Sequence, residues 1–349
     1  MKTILIHSFT GSNNQMFDPN ERDGYNDPLI YLRERLFQCG YCLKTADNNS
    51  LEDCELVIFY EGNSVDPYSG WRGSVRKLRS VLQGKPLCRN LYDECVRAGM
   101  KDRIALFLWE PPSVSPNNWD PELHKLFPLI FSWHDDYINN PKFKKIHWPQ
   151  TRQFPSVPNI SFANKKLLIN ISMNKFSSHS RELYSARQAS IRYFEQNQPD
   201  NFDLFGVGWN QPNGILEKIL PFTSQTFSSY RGTVKNKWDV LPQYRFSICY
   251  ENIHDEPGWV TEKIFDSMRA GCVPIYWGAT NIVDYVDPDA FIDRRIFNSD
   301  SELETYILSI TEKEYKHFQE AIQVYLASER FARFLPPAYA DTIIQALHL

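Results

Sequence analysis

Nowhere in these 349 residues does an apolar run approach the roughly 20 residues that a membrane-spanning helix needs. The start, Met-Lys-Thr-Ile-Leu-Ile-His, turns polar too soon for a secretory leader and reads as a first strand. Long basic runs are missing too, and the formal charge is −4, which argues against bulk binding of nucleic acid or anionic membrane. Cysteine is sparse: seven, an odd number, scattered as expected of reduced thiols. Cys39 and Cys42 have redox spacing, but no second pair accompanies them and no thioredoxin-like context surrounds them. Internal repeats, low-complexity tracts and a closing heptad tail are likewise absent. The expectation is a soluble, cytoplasmic protein with no nucleic-acid partner, whose membrane association, where there is any, is peripheral and at the inner membrane.

What the chain does have is alternation, over a length at which single cores usually divide. Thr3–His7, Leu56–Tyr60, Ile104–Trp109 and Leu129–Trp133 read as buried strands, with helices Asp27–Gln38 and Gly73–Leu82 between them. Around Lys142–Ser161 periodicity disappears and prolines stand at 149, 155 and 158, so the linker belongs there. The second half alternates in the same way, with strand Lys166–Ser172, helix Arg181–Gln196, strand Phe202–Phe205, then Gly206-Val-Gly208-Trp209. Gly214–Lys237 reads as irregular, Ala290–Ile296 follows later, and a helix runs from about Thr311 to Glu329. The fold class is therefore α/β, as two parallel-sheet domains over 1–150 and 151–349, with the final helix free to pack back on the first.

The most informative segment is Tyr244–Gly278. It reads as strand, polar loop, helix opening on Thr261-Glu262-Lys263, and a second strand entered through Gly271, hence a βαβ unit. Thr261 suits the N-cap and Gly271 the C′ position. Lys263 in the first turn runs against the helix dipole, which makes sense where both face one phosphate. The plainer account, a solvated lysine on an amphipathic helix, suffices for a helix standing alone. Ligands of such sheets collect beyond the carboxyl ends of the strands, where Glu251, Asn252, Glu262 and Lys263 lie.

This segment resembles the α-1,3/1,4-fucosyltransferase family of bacterial type, glycosyltransferase family ten. The residues that carry the resemblance are Tyr244-Arg-Phe-Ser-Ile-Cys-Tyr250-Glu251-Asn252, then Trp259-Val-Thr261-Glu262-Lys263, then Gly271-Cys-Val-Pro274-Ile. Two departures are the slightly longer loop His254–Gly258 and Trp259 where Tyr is frequent. The resemblance extends over roughly residues 165–280. It implies a GT-B fold, two Rossmann-like domains facing a cleft, the first binding acceptor and the second a GDP-sugar. It also implies inverting transfer of L-fucose from GDP-fucose, with α-1,3 (or 1,4) linkage to the GlcNAc of a galactosyl-N-acetylglucosamine unit. The acceptor would be an oligosaccharide or glycolipid, lipopolysaccharide among them.

Such a transfer needs a base for the acceptor hydroxyl and positive charge for the leaving diphosphate. Glu110 follows the strand Ile104–Trp109 and precedes Pro111-Pro112, which places it at a strand's carboxyl end; the resemblance assigns the general base to a Glu there. Asp135, Asp136 and Glu61 are the next candidates, and a surface carboxylate at a turn is the plainer alternative. For the diphosphate the candidates are Lys263 and Arg187, with Arg181 and Arg192 as rivals; a guanidinium grips phosphate bidentately. Glu262 suits ribose hydroxyls, and Glu251, Asn252, Trp259 and Thr261 complete the donor set. His134-Asp-Asp136 and His254-Asp-Glu256 resemble oxygen-ligand clusters but lack partners. No metal ligand is assigned and no cofactor is required; Mn²⁺ or Mg²⁺ would stimulate only by pairing with GDP. Two readings compete with fucose transfer: another nucleotide-sugar donor, or a non-catalytic glycan-binding protein on the same scaffold.

Overall fold

A computed structural model describes residues 1–8, 13–66, 68, 70–84, 89–154, 156–211 and 226–348. The chain divides into two compact units, Met1–Arg152 with Phe334–Leu349, and Gln153–Arg333. Each holds one all-parallel sheet.

The first sheet contains β1 (Lys2–Ser8), β2 (Tyr41–Thr45), β3 (Cys54–Tyr60), β4 (Ile104–Leu108), β5 (Leu129–Ser132) and β6 (Phe143–Lys145), in the order β2-β1-β3-β4-β5-β6. Ile4, Leu5 and Ile6 are fully buried, as are all five residues of β4, because helices cover both faces of a parallel sheet. Helix α1 (Asp27–Gln38) starts with Pro28 in its first turn and turns Leu29, Leu32 and Leu36 inward. The last helix, Pro336–Ala346, brings Tyr339, Ala340 and Ile343 into the same core. Arg35 of α1 pairs with its Asp341 at 3.2 Å. Strands β2 and β6 go beyond the sequence reading; both are short edge strands, and β6 lies within the proline-rich stretch read as linker.

The second sheet contains β7 (Lys166–Ile171), β8 (Phe202–Phe205), β9 (Tyr244–Tyr250), β10 (Val273–Trp277) and β11 (Ile292–Asp293), in the order β11-β10-β9-β7-β8. Helix α2 (Tyr184–Asn197) joins β7 to β8, and α3 (Glu262–Arg269) joins β9 to β10. Strand order reverses between β7 and β9, so the carboxyl ends of those strands flank a switch-point crevice. Gly206 closes β8 with φ 129°, and a Cβ there would sit 1.9 Å from the Ser172 carbonyl, so only glycine fits. Of the stretch expected to be irregular, 214–225 lies outside the described residues; beyond it Tyr230 bridges to Leu204 and Arg231 reaches Asp203.

Candidate active site

In the second unit the site is built at the end of β9 and the start of α3. Glu251 follows the last residue of β9 and is fully buried. Its carboxylate accepts the Thr261 N–H at 2.9 Å, the Thr261 hydroxyl at 2.8–2.9 Å and the Lys263 ammonium at 3.0 Å. Gly278 makes this approach possible: a Cβ there would lie 2.5 Å from Glu251 Cγ and 2.4 Å from the Tyr276 hydroxyl. Burial pushes the Glu251 carboxyl up from its ordinary range, against the pull of Lys263. Burial also works against the Lys263 charge, but Glu251 and Glu262 outweigh it and hold the ammonium above its usual value.

Thr261 is the N-cap of α3, yet its hydroxyl makes no cap bond. The expected capping is thereby corrected: the hydroxyl donates to Glu251, and its oxygen accepts from Lys263 at 2.9 Å. The helix N-terminus so lacks a side-chain cap, and its positive end lies beside the ammonium. Gly271 takes the left-handed conformation, φ 68°, that the C′ position calls for.

Arg187 on α2 is 3% exposed and donates from Nη2 to the carbonyls of Tyr250 at 2.6 Å and Glu251 at 3.0 Å. It thereby sets a second fixed positive charge at the carboxyl end of β9, close enough to Lys263 to act on it. The rivals point elsewhere. Arg181 lies before α2 and binds Glu256 at 2.5 Å and the Asp255 carbonyl at 2.9 Å. Arg192 binds Glu195 and the Thr226 carbonyl, over the Phe227 ring.

The donor set read from the sequence divides into two layers. Lys263 and Glu262 are half-buried, with 24% and 40% of their side chains exposed, and stand 3.5 Å apart. Burial raises the Glu262 carboxyl, but Lys263 and Lys237 outweigh it and hold it below the usual range. Asn252, next after Glu251, is half-buried, its carbonyl accepting from the Leu183 N–H. Glu251, Thr261 and Trp259 are at most 1% exposed. The Trp259 ring lies in the core, and the Trp259 carbonyl accepts from the Tyr276 hydroxyl. Glu251 and Thr261 hold Lys263 in place. Sequence reasoning missed Lys237 and Asp266, a part-buried ion pair whose lysine acts on Glu262; Asp266 follows Glu262 by four on α3, the only signal for it.

In the first unit, Glu110 stands just beyond β4, half-buried. Its N–H donates to Glu61 at 2.9 Å, and its carbonyl accepts from Asn118 Nδ2 and Trp119 Nε1, both at 3.1 Å. Trp119 is half-buried, 5.0 Å from Trp133 between ring centroids. Of the other base candidates, Asp135 pairs with Lys145 at 2.6 Å and Asp136 is exposed, whereas Glu61 bonds directly to the Glu110 main chain. Among the described residues no group of three His, Cys, Asp or Glu is gathered to hold a metal. Asp255 pairs with His254, and Glu256 with Arg181. Six of the cysteines, Cys39 and Cys42 included, are free thiols. No helix among the described residues is long and apolar enough to cross a membrane.

Residues 172–331 match the model of the glycosyltransferase family 10 (fucosyltransferase) C-terminal domain. A segment is 39% identical over 96 residues to the α-(1,3)-fucosyltransferase FucT of Helicobacter pylori, covering 26% of this chain and 20% of that protein. The match thus spans about a fifth of the relative's length. Crystal structures of an α1,3-fucosyltransferase superpose over 100% of this chain and 90% of theirs, at 15% identity and a TM-score of 0.56. One with GDP-fucose gives 14% identity and a TM-score of 0.51 over the same shares. The two-sheet fold is accordingly the GT-B fold, and residues 172–331 are similar to the C-terminal domain of the family 10 fucosyltransferases.

Proposed function

We propose that this chain transfers L-fucose from GDP-fucose to a glycan hydroxyl, inverting the anomeric centre. The observation that carries the reading is the cationic head of α3: Lys263, locked by Glu251 and Thr261 beside an N-terminus without a side-chain cap, in the segment that matches the family. Lys263, Arg187 and the helix dipole meet the charge that develops on the departing diphosphate. Glu262 accepts from ribose hydroxyls. Glu110 takes the proton of the attacking hydroxyl. Fixed cations do the work of a metal, and Mn²⁺ or Mg²⁺ stimulates only by pairing with GDP. The acceptor is the GlcNAc of a galactosyl-N-acetylglucosamine unit, joined α-1,3. GDP and GDP-fucose should raise the melting temperature by mass action, and UDP should not. An equal shift with UDP would sink the guanine assignment.

The acceptor sits on a lipid surface in this reading, and one helix favours that. Helix Gly70–Leu82 exposes Val75, Leu78, Val81 and Leu82 by 54–77%, on one face. Between Asp66 and Asp93 the sequence has Lys or Arg at 72, 76, 77, 79, 85 and 89 and no acidic residue, a local charge that the whole-chain balance conceals. An apolar stripe in a segment whose only charged residues are cations is complementary to anionic lipid. Cosedimentation with phosphatidylglycerol vesicles should be lost in Leu78→Asp. Absence of binding, or a concentration-dependent dimer that Leu78→Asp abolishes, would overturn it.

A further inference from the structure

Glu61 is the least ordinary residue of the first unit. It stands one position past β3 with φ 76° and ψ 148°, a conformation that is essentially glycine's alone. Its own N–H continues the ladder to the Phe107 carbonyl at 2.9 Å. Its carboxylate folds over the end of β4: Oε1 accepts the Trp109 N–H at 2.7 Å and the Glu110 N–H at 2.9 Å, and Oε2 accepts Asn118 Nδ2 at 2.5 Å. Asn118, fully buried, cannot turn its amide round. Its Oδ1 accepts the Gly62 N–H at 2.8 Å, and its Nδ2 also donates to the Glu110 carbonyl.

Three donors converge on one side chain, so the site calls for an acceptor-only group. A glutamine would satisfy the two amides and then set its own NH₂ against that of Asn118. A strand end needs no such device, since a glycine at position 61 would take this backbone without strain. The carboxylate is held there in spite of the conformation, and it lies against the residue assigned as base. Burial, reinforced by the Glu110 charge, pushes it up to about 7 against the pull of Asn118 and the two amides. Its titratable neighbours are Glu110 from the end of β4 and Tyr60 on its own strand, the latter also near Tyr25 and Tyr339.

We propose that Glu61 is the positioning residue of the transfer site, clamping the main chain of Glu110 from one side as Asn118 and Trp119 do from the other, and setting a second carboxyl group against it. This rests on the reading of Glu110 as base. The Glu110 charge then acts on the Glu61 carboxyl, and the Glu61 charge on Glu110. While Glu61 is ionised it strengthens Glu110 as a base, and protonation of Glu61 near neutral pH withdraws that help.

The test compares Glu61→Gly, whose backbone favours the native conformation, and Glu61→Gln with Glu110→Gln. Turnover with GDP-fucose is followed against pH, and the Trp109 and Glu110 amide resonances are titrated by NMR. Both Glu61 variants should bind GDP-fucose as the wild type does and turn over ~10- to 10²-fold more slowly, the scale of a displaced catalytic group. The wild-type inflection near pH 7 should vanish in Glu61→Gln, together with the titration of both amides. Wild-type turnover in the Glu61 variants, beside a slow Glu110→Gln, would overturn the clamp and leave the transferase standing. Amides that do not titrate near neutral pH in the wild type would overturn it whether or not the chain transfers fucose.

Discussion

Replacing Lys263 by Met should damage folding and donor binding together, and a second substitution should separate them. Lys263 Nζ lies 3.0 Å from Glu251 Oε2, and Glu251 is fully buried. Removing one partner of a buried pair strands the other, at a cost of about 3–5 kcal/mol. Glu251 keeps its bonds from the Thr261 N–H and hydroxyl, which puts the loss near the lower end, ~3 kcal/mol. For a unit of this size that lowers the melting temperature by roughly 6–12 °C. The deficit should shrink toward pH 5, because a protonated Glu251 needs no cation. With its folded pKa raised above the unfolded value, the folded state holds a proton that the unfolded chain has released above ~4.5, so stability falls as pH rises. Adding Glu251→Gln neutralises the stranded group and should restore most of the melting temperature. GDP-fucose affinity, by isothermal titration calorimetry, should stay low in the double variant because the ammonium is still gone. A single variant that melts as the wild type does would refute the buried-pair argument. A double variant that binds donor normally would refute the role of Lys263 at the diphosphate.

Arg187→Ala should slow transfer by ~10²-fold or more, the scale for an electrostatic catalytic group, and wild-type turnover would pass the role to Arg181 or Arg192. Glu110→Gln should bind GDP-fucose nearly as the wild type does but turn over at least ~10²-fold more slowly in steady-state assays. Normal turnover there would exclude Glu110 and bring Glu61 forward as base.

The central strands of both sheets were legible because they are buried on both faces and read as unbroken apolar runs; β4 and β9 are the clearest. Edge strands β2 and β6 carry no such signal, having one neighbour each and five and three residues. Helix α2 starts at Tyr184 and not at Arg181, because Glu182 bridges to Ile253 and its carboxylate caps the Tyr184 and Ser185 N–H groups. Polar identity marked Glu251, Thr261 and Lys263 as a cluster, but burial assigns their parts, and burial depends on β10 and Gly278 packing above. Trp259 shows the same limit, since a motif does not say which way a ring faces. Glu61 was visible only as a carboxylate at a strand end; its left-handed backbone and its grip on Glu110 arise from residues 48–57 positions away.

The most direct measurement is the fate of the sugar. Incubating the full chain with GDP-fucose labelled in the fucose, and with a β-galactosyl-N-acetylglucosamine acceptor, should move label into the glycan in a new α linkage, with one GDP released per sugar transferred. Release of GDP with free labelled fucose and an unlabelled glycan, or transfer from UDP-sugars alone, would contradict the account.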